Sequence, residues 1–216
     1  MRLRPLLVLA LLAAATPAAA AKQQAPDEDG ILFGLRGGFG LPYGDLSRDA
    51  ALKDLVQKKL PLWLEVGYRF NGHFHSTLYF ELAPMSLAEC PKGSACSAFD
   101  VRFGLLLQLH MAPRHWIDPW LGLGFGIEHL QATAPPTPGA PDAFQLTWDG
   151  LELPVEAGLD LAVTDFLTFG PYASASAGQF TSASQRPPGG STARGSVQDR
   201  ATHGWVQAGL RLTLRL

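Results

Sequence analysis

The sequence predicts an all-β fold, an eight-stranded antiparallel up-and-down transmembrane β-barrel, on three observations. Most of the chain beyond residue 30 alternates apolar and polar side chains with period two, which gives each strand one face of each kind. The connections alternate between short turns and long loops. The final segment, Thr202–Leu216, is itself a strand, with Val206, Ala208, Leu210, Leu212, Leu214 and Leu216 on one face and His203, Trp205, Gln207, Arg211, Thr213 and Arg215 on the other. An apolar strand left unpaired invites aggregation, and closure against the first strand removes that edge.

Taken in order, Arg2 and Arg4 precede an apolar run from Leu6 to Ala15 and a small-residue stretch ending Ala18, Ala19, Ala20. This is the pattern of a secretory signal peptide, with an apolar core shorter than the roughly 20 residues of a helical span. Residues 1–21 are therefore read as the signal peptide, 22–30 as a periplasmic N-terminal segment and 31–216 as the barrel domain. The first cysteine is Cys90, so no lipid anchor is expected at the cleavage site. Without Arg2 and Arg4 the 17 basic residues fall to 15 against 19 acidic, and no basic stripe suited to nucleic acid remains.

The first strand, Ile31–Gly40, sets Phe33, Leu35 and Phe39 against Arg36 and Gly38. The second, Leu62–Phe70, sets Leu62, Leu64, Val66, Tyr68 and Phe70 against Trp63, Glu65, Gly67 and Arg69. Asn71 and Gly72 suit a two-residue type I′ hairpin turn. The third strand opposes Phe74, Leu78, Phe80 and Leu82 to His75, Thr77, Tyr79 and Glu81. Phe99–His110, the strongest pattern, places Phe99, Val101, Phe103, Leu105, Leu107 and Leu109 opposite Asp100, Arg102, Gly104, Gln108 and His110. In Trp116–Leu130 the second face is Trp120, Gly122, Gly124, Gly126 and Glu128, and the indoles of Trp63, Trp120 and Trp205 are expected to fill the space above these glycines. The sixth strand runs to Val163 with Glu152, Glu156, Gly158 and Asp160 on its polar face, and its phase slips near Asp149–Gly150, where a bulge is expected. Leu167–Phe180 has the weakest contrast, and the terminal strand completes the eight.

Long connections are expected at 41–61, 83–98, 131–143 and 181–201, and short ones at 71–72, 111–115 and 164–166. Sorting of this kind, short turns on one rim and long loops on the other, is the habit of outer-membrane barrels, whose short rim is periplasmic.

With the export signal, eight strands, sorted loops and a terminal strand containing Gln207, Gly209, Leu210 and Leu212, the chain resembles the small outer-membrane β-barrel superfamily of Gram-negative bacteria, which includes barrel domains of the OmpA and OmpX type. The resemblance implies an integral protein of the cell outer membrane, without cofactor, that meets membrane lipid and lipopolysaccharide and is inserted by the barrel assembly machinery. It implies an assembly signal at Gln207, Gly209, Leu210, Leu212 and Leu216. The family usually ends in Phe, and this chain ends in Leu216.

With apolar faces turned to lipid, the interior receives Arg36, Glu65, Arg69, Glu81, Asp100, Arg102, Glu128, Glu152, Glu156, Asp160, Arg211 and Arg215. An eight-stranded barrel is just wide enough for side chains to fill, so the expectation is a plugged lumen in which these charges pair. A proton or small-ion path through them is the alternative. Aromatic residues form two expected girdles, Phe33, Tyr68, Phe70, Phe74, Trp116 and Phe169 toward the short-turn rim and Phe39, Tyr43, Phe80, Phe99 and Phe180 toward the other. Cys90 and Cys96, in a loop of an exported protein, are expected to form a local disulfide rather than hold a metal. In the first long loop, Leu52, Leu55 and Val56 lie at helical spacing and Ser47 is placed to cap a helix, which either packs over the barrel mouth or meets a partner.

No catalytic residue is expected. His75 and Ser76 point to opposite strand faces and cannot form a nucleophile and base; His73 and His75 share a face near the rim. The expected role is structural or surface-interacting, with no open large pore. The alternatives are a soluble exported barrel of lipocalin type, with the same alternation read inside out around a small apolar ligand, and a narrow ion channel.

Overall fold

Period-two patterning puts the large apolar side chains on one surface and the charged ones on the other, and the sheet curls with its charged surface inward. The computed structural model describes residues 29–48, 50–90, 96–134 and 143–216; the expected signal peptide, residues 1–21, lies outside them. The elements are β1 (Gly30–Ser47), β2 (Ala50–Ala51), the single helical turn α1 (Leu52–Leu55), β3 (Val56–Lys59), β4 (Leu62–Phe70), β5 (Phe74–Leu87), β6 (Ser97–His110), β7 (Ile117–Ala134), β8 (Phe144–Ala162), β9 (Leu167–Arg186), β10 (Ala193–Ser196) and β11 (His203–Arg215). Each long strand pairs antiparallel with the next, and β11 returns to β1 from Leu32↔Arg215 to Gly44↔His203, closing an eight-stave ring.

The second stave is β3 and β4 in series. It breaks at Leu60–Pro61, yet Gly40↔Lys59 and Gly37↔Leu62 keep both parts paired with β1. Strands on the long-loop side outrun the expected limits, to Ser47, Leu87, Ala134 and Arg186, and the loops shorten accordingly. These extensions lie above the apolar belt, where period two fades although backbone pairing continues.

Three local expectations are corrected. The β4–β5 turn occupies Asn71 to His73, and among the described residues Asn71, at φ 50°, is the non-glycine in the left-handed region, while Gly72 is not left-handed. The Asn71 side-chain oxygen accepts from the His73 N–H at 3.1 Å, closing the turn without a type I′ pair. His73 is consequently an exposed turn residue and does not share a face with His75, which is buried. Ser47 caps nothing: it pairs with Ala50 across a tight corner, and α1 starts after Ala51 with no side-chain cap. The slip near Asp149–Gly150 is present as a register shift, with Asp149 opposite Ser182 and Gly150 opposite Phe180, leaving Thr181 as the extra residue.

Leu46, Leu52 and Val56 turn back over the long-loop mouth and pack with Leu130, Phe180 and Trp205 from the walls, making an apolar plug. Phe180 therefore belongs to the plug and not to an outer girdle. Period two dictates this, because Phe169 faces outward and Phe180 is an odd number of positions further along the same strand. Leu52 is fully buried, so Leu52→Ala is expected to destabilise the barrel by about 2–5 kcal/mol, read from urea unfolding in lipid vesicles.

Candidate functional site

All twelve charged residues assigned to the interior by their strand face are buried there, between 0 and 8% exposed. An isolated charge in such a space is costly, so the arrangement depends on partners. Under the plug, the Lys59 ammonium lies 2.6 Å from Glu81 and 2.6 Å from Asp100, and 4.2 Å from the centre of the Trp205 ring. Arg102 pairs with Glu81 at 2.8 Å and with Glu152. Tyr79 donates to Glu152 at 2.7 Å. Glu128 accepts from the Trp205 indole at 2.7 Å and meets His203 at 2.8 Å. With its amide oxygen turned toward the cations, Gln207 accepts from Arg102 at 2.9 Å and Lys59 at 3.2 Å.

At mid-height, Arg36 bridges Glu65 and Glu156, the latter at 2.7 Å, inside a cage of Trp63, Trp120 and Tyr172 whose ring centres stand 5.1–5.3 Å from the guanidinium carbon. Toward the short-turn rim, Arg211 meets Glu65 at 3.2 Å and Asp160 at 3.8 Å and donates to Gln108 at 2.8 Å. Arg215 lies 3.3 Å from Asp160 and 3.9 Å from Asp118. His110 meets Asp118 at 2.7 Å, and the His75 ring stacks on it at 3.9 Å. Both signs thus alternate along the axis from plug to rim.

The glycine stripe of β7 is not filled by the three tryptophans as expected. Tyr79 and Leu106 occupy it, Trp63 stacks on Tyr79 at 4.7 Å, and Trp205 is part of the plug. A Cβ at Gly104 would stand 2.7 Å from the Tyr79 ring, and one at Gly126 would meet the same tyrosine's hydroxyl. Trp120 lies instead against Gly158 of the neighbouring strand.

Lys59 and Asp118 are interior residues beyond the twelve that strand patterning assigns to the charge network. Lys59 falls within an expected loop, yet counting back through Pro61 puts it in phase with Trp63 and Glu65. Asp118 is likewise in phase with Trp120.

The outer wall is apolar, with Phe33, Leu64, Leu78, Phe103, Leu123, Phe125, Leu153 and Leu210 among its exposed side chains. Of the expected girdle residues, Phe33, Tyr68, Phe70, Phe74, Trp116 and Phe169 are exposed toward the short-turn rim and Phe39, Tyr43 and Phe80 toward the other, while Phe99 is half-buried. In the terminal strand Leu210, Leu212 and Leu216 face outward, Gln207 faces the lumen and the Gly209 backbone lies against Gly37 and Gly38. Cys90 and Cys96 are joined by a disulfide with their Cα atoms 6.0 Å apart. Among the described residues no group of three or more His, Cys, Asp and Glu side chains is placed to hold a metal ion.

No protein-family model matches the chain, and no curated protein matches it. Among solved structures it is similar to the outer membrane protein OprG from Pseudomonas aeruginosa, at 16% identity over 89% of this chain and 100% of that one, with a TM-score of 0.54. It is also similar to a major outer membrane protein from Thermus thermophilus, at 11% identity over 86% and 99% of the two chains, with a TM-score of 0.57. With a closed antiparallel ring, short turns on one rim, an apolar exterior and a charged interior, this chain has the fold of the small outer-membrane β-barrels.

Proposed function

We propose that the protein is an integral barrel of the cell outer membrane with a structural or surface-interacting role, without catalytic activity and without an open large pore. The observation that carries this reading is the apolar outer wall around a filled, ion-paired interior. On β8 the outward apolar residues run from Leu161 to Leu151 and give way to Asp149. About ten residue steps on a strand tilted as in such barrels make a belt about 25 Å tall, the thickness an outer-membrane barrel presents to lipid. The short turns and both ends of the ring then face the periplasm, and the long loops, one stiffened by the Cys90–Cys96 bridge, face outward. Membrane lipid and lipopolysaccharide are its surroundings, and the barrel assembly machinery inserts it after export by the signal peptide.

A lipocalin-type role needs an apolar cavity, whereas the interior holds Lys59, Arg36, Arg102, Arg211 and their carboxylate partners. A narrow ion path is opposed by the apolar plug and by the rings stacked around Arg36. Fractionation and a gel of unheated against boiled protein test the membrane reading. Recovery with membranes and a heat-dependent mobility shift are expected; recovery as soluble protein without detergent overturns it. In planar bilayers the purified protein is expected to show no large-conductance steps.

A further inference from the structure

Two grooves mark the outer wall. One, of about 420 Å³ on β1, β4, β5 and β6, presents only apolar outward side chains, among them Phe33, Leu64, Val66 and Phe80. The other, of about 450 Å³, crosses β7, β8 and β9, with Phe125, Leu151, Leu153 and Ala177 along it and Arg200 and Thr202 at its head. It exists because the outward residues of β9 are small: Ala173, Ala175 and Ala177 lie between the leucines of β8 and the face of β11, where Gly204 opposite Ala177 has no side chain.

The head of this second groove is built and cationic. Arg200 is held by a backbone bridge to Ser47, and the Asp45 N–H donates to the Thr202 carbonyl at 3.0 Å. Of the neighbouring acids, Asp199 pairs with Arg48 at 3.5 Å, Asp149 with His129 at 2.6 Å and Arg194 at 3.1 Å, and Glu152 turns inward to Arg102 and Tyr79, while Asp45, beside Thr202, is exposed. Arg200 is exposed and has no ion-pair partner among the described residues. Gln179 and Thr202 add hydrogen-bonding groups where the apolar floor ends, and the Thr181 hydroxyl, which donates to the Asp149 carbonyl at 3.2 Å, lies beside them.

An apolar trough that ends at an unneutralised guanidinium beside hydroxyl and amide groups is complementary to an acyl chain that carries a phosphate. We infer that this groove binds one phosphorylated glycolipid of the outer leaflet, its acyl chain along β9 over Ala177 and its phosphate on Arg200. The choice of leaflet rests on the orientation proposed above, since the groove lies in the long-loop half of the wall.

The test is native mass spectrometry of the folded full-length barrel in detergent, titrated with deep-rough lipopolysaccharide and separately with phosphatidylglycerol. One lipopolysaccharide per barrel is expected, weakened about tenfold by Arg200→Gln, the scale of one charge-assisted hydrogen bond. Ala177→Phe, which fills the trough, is expected to weaken it comparably, and Leu64→Ala in the other groove to leave it unchanged. Wild-type binding by both Arg200→Gln and Ala177→Phe overturns the site, and equal affinity for phosphatidylglycerol overturns the assignment to the outer-leaflet glycolipid. Either failure with the protein still in the membrane fraction refutes this site alone, whereas soluble recovery refutes the membrane reading beneath it.

Discussion

Lys59→Met is expected to cost about 3–5 kcal/mol of unfolding free energy, the penalty for removing one partner of a buried charge cluster. The ammonium is the cation within 2.6 Å of Asp100, whose other carboxylate oxygen has no hydrogen-bond partner, and it shares Glu81 with Arg102. The substitution preserves most of the side-chain volume, so the loss reports charge and not a cavity. Adding Asp100→Asn removes the stranded carboxylate and is expected to recover a large part of the loss. Urea titration of the barrel refolded into phospholipid vesicles measures both. Wild-type stability in the single variant would mean that Asp100 and Glu81 do not depend on Lys59.

Replacing Leu210, Leu212 and Leu216 together with Ser is expected to abolish assembly into the membrane. Leu210 and Leu212 face outward where β11 pairs with Gly37 and Leu35 of the first strand, at the seam that closes the ring. Each leucine on the wall contributes on the order of 2 kcal/mol of transfer from water to lipid, and the same residues form the recognition pattern implied by the family resemblance. Membrane fractionation of cells that express the variant provides the readout. Leu216→Phe, which keeps a large apolar side chain on the outward face, is expected to assemble at least as well as the unsubstituted chain. Normal recovery of the triple variant in the membrane would remove the terminal leucines from any part in assembly.

The fold is legible because a two-faced strand carries its own register: Phe99–His110 and Leu62–Phe70 declare inside and outside residue by residue. The charged interior follows from the same alternation, since a carboxylate or guanidinium in the polar phase has only the lumen to face. Legibility fails where alternation is absent or interrupted. Lys59 is hidden because Pro61 breaks the strand and the helical spacing of Leu52, Leu55 and Val56 suggests a longer helix than the single turn that forms. Phe180 escapes its true side because the Ala–Ser run of β9 gives no contrast from which to carry the phase of Phe169 forward. The extensions of β7, β8 and β9 beyond the belt lack a readable pattern because no apolar face continues along them.

Two interior ion pairs join residues far apart in the chain, with 120 positions between Arg36 and Glu156 and 146 between Glu65 and Arg211. Neither bridge forms between neighbouring strands, whereas Arg36 with Glu65 and Arg102 with Glu81 join strands already side by side, so a partly zipped sheet holds some of its pairs and lacks these two. These two bridges therefore complete only as the ring closes at β1–β11. Contacts of such long sequence separation make folding slow, and an open sheet that meets lipid before closure would present bare charge to hydrocarbon. Insertion of this barrel is thus expected to be all-or-none, with refolding kinetics in vesicles in which protection of the interior and the shift in gel mobility appear at the same rate.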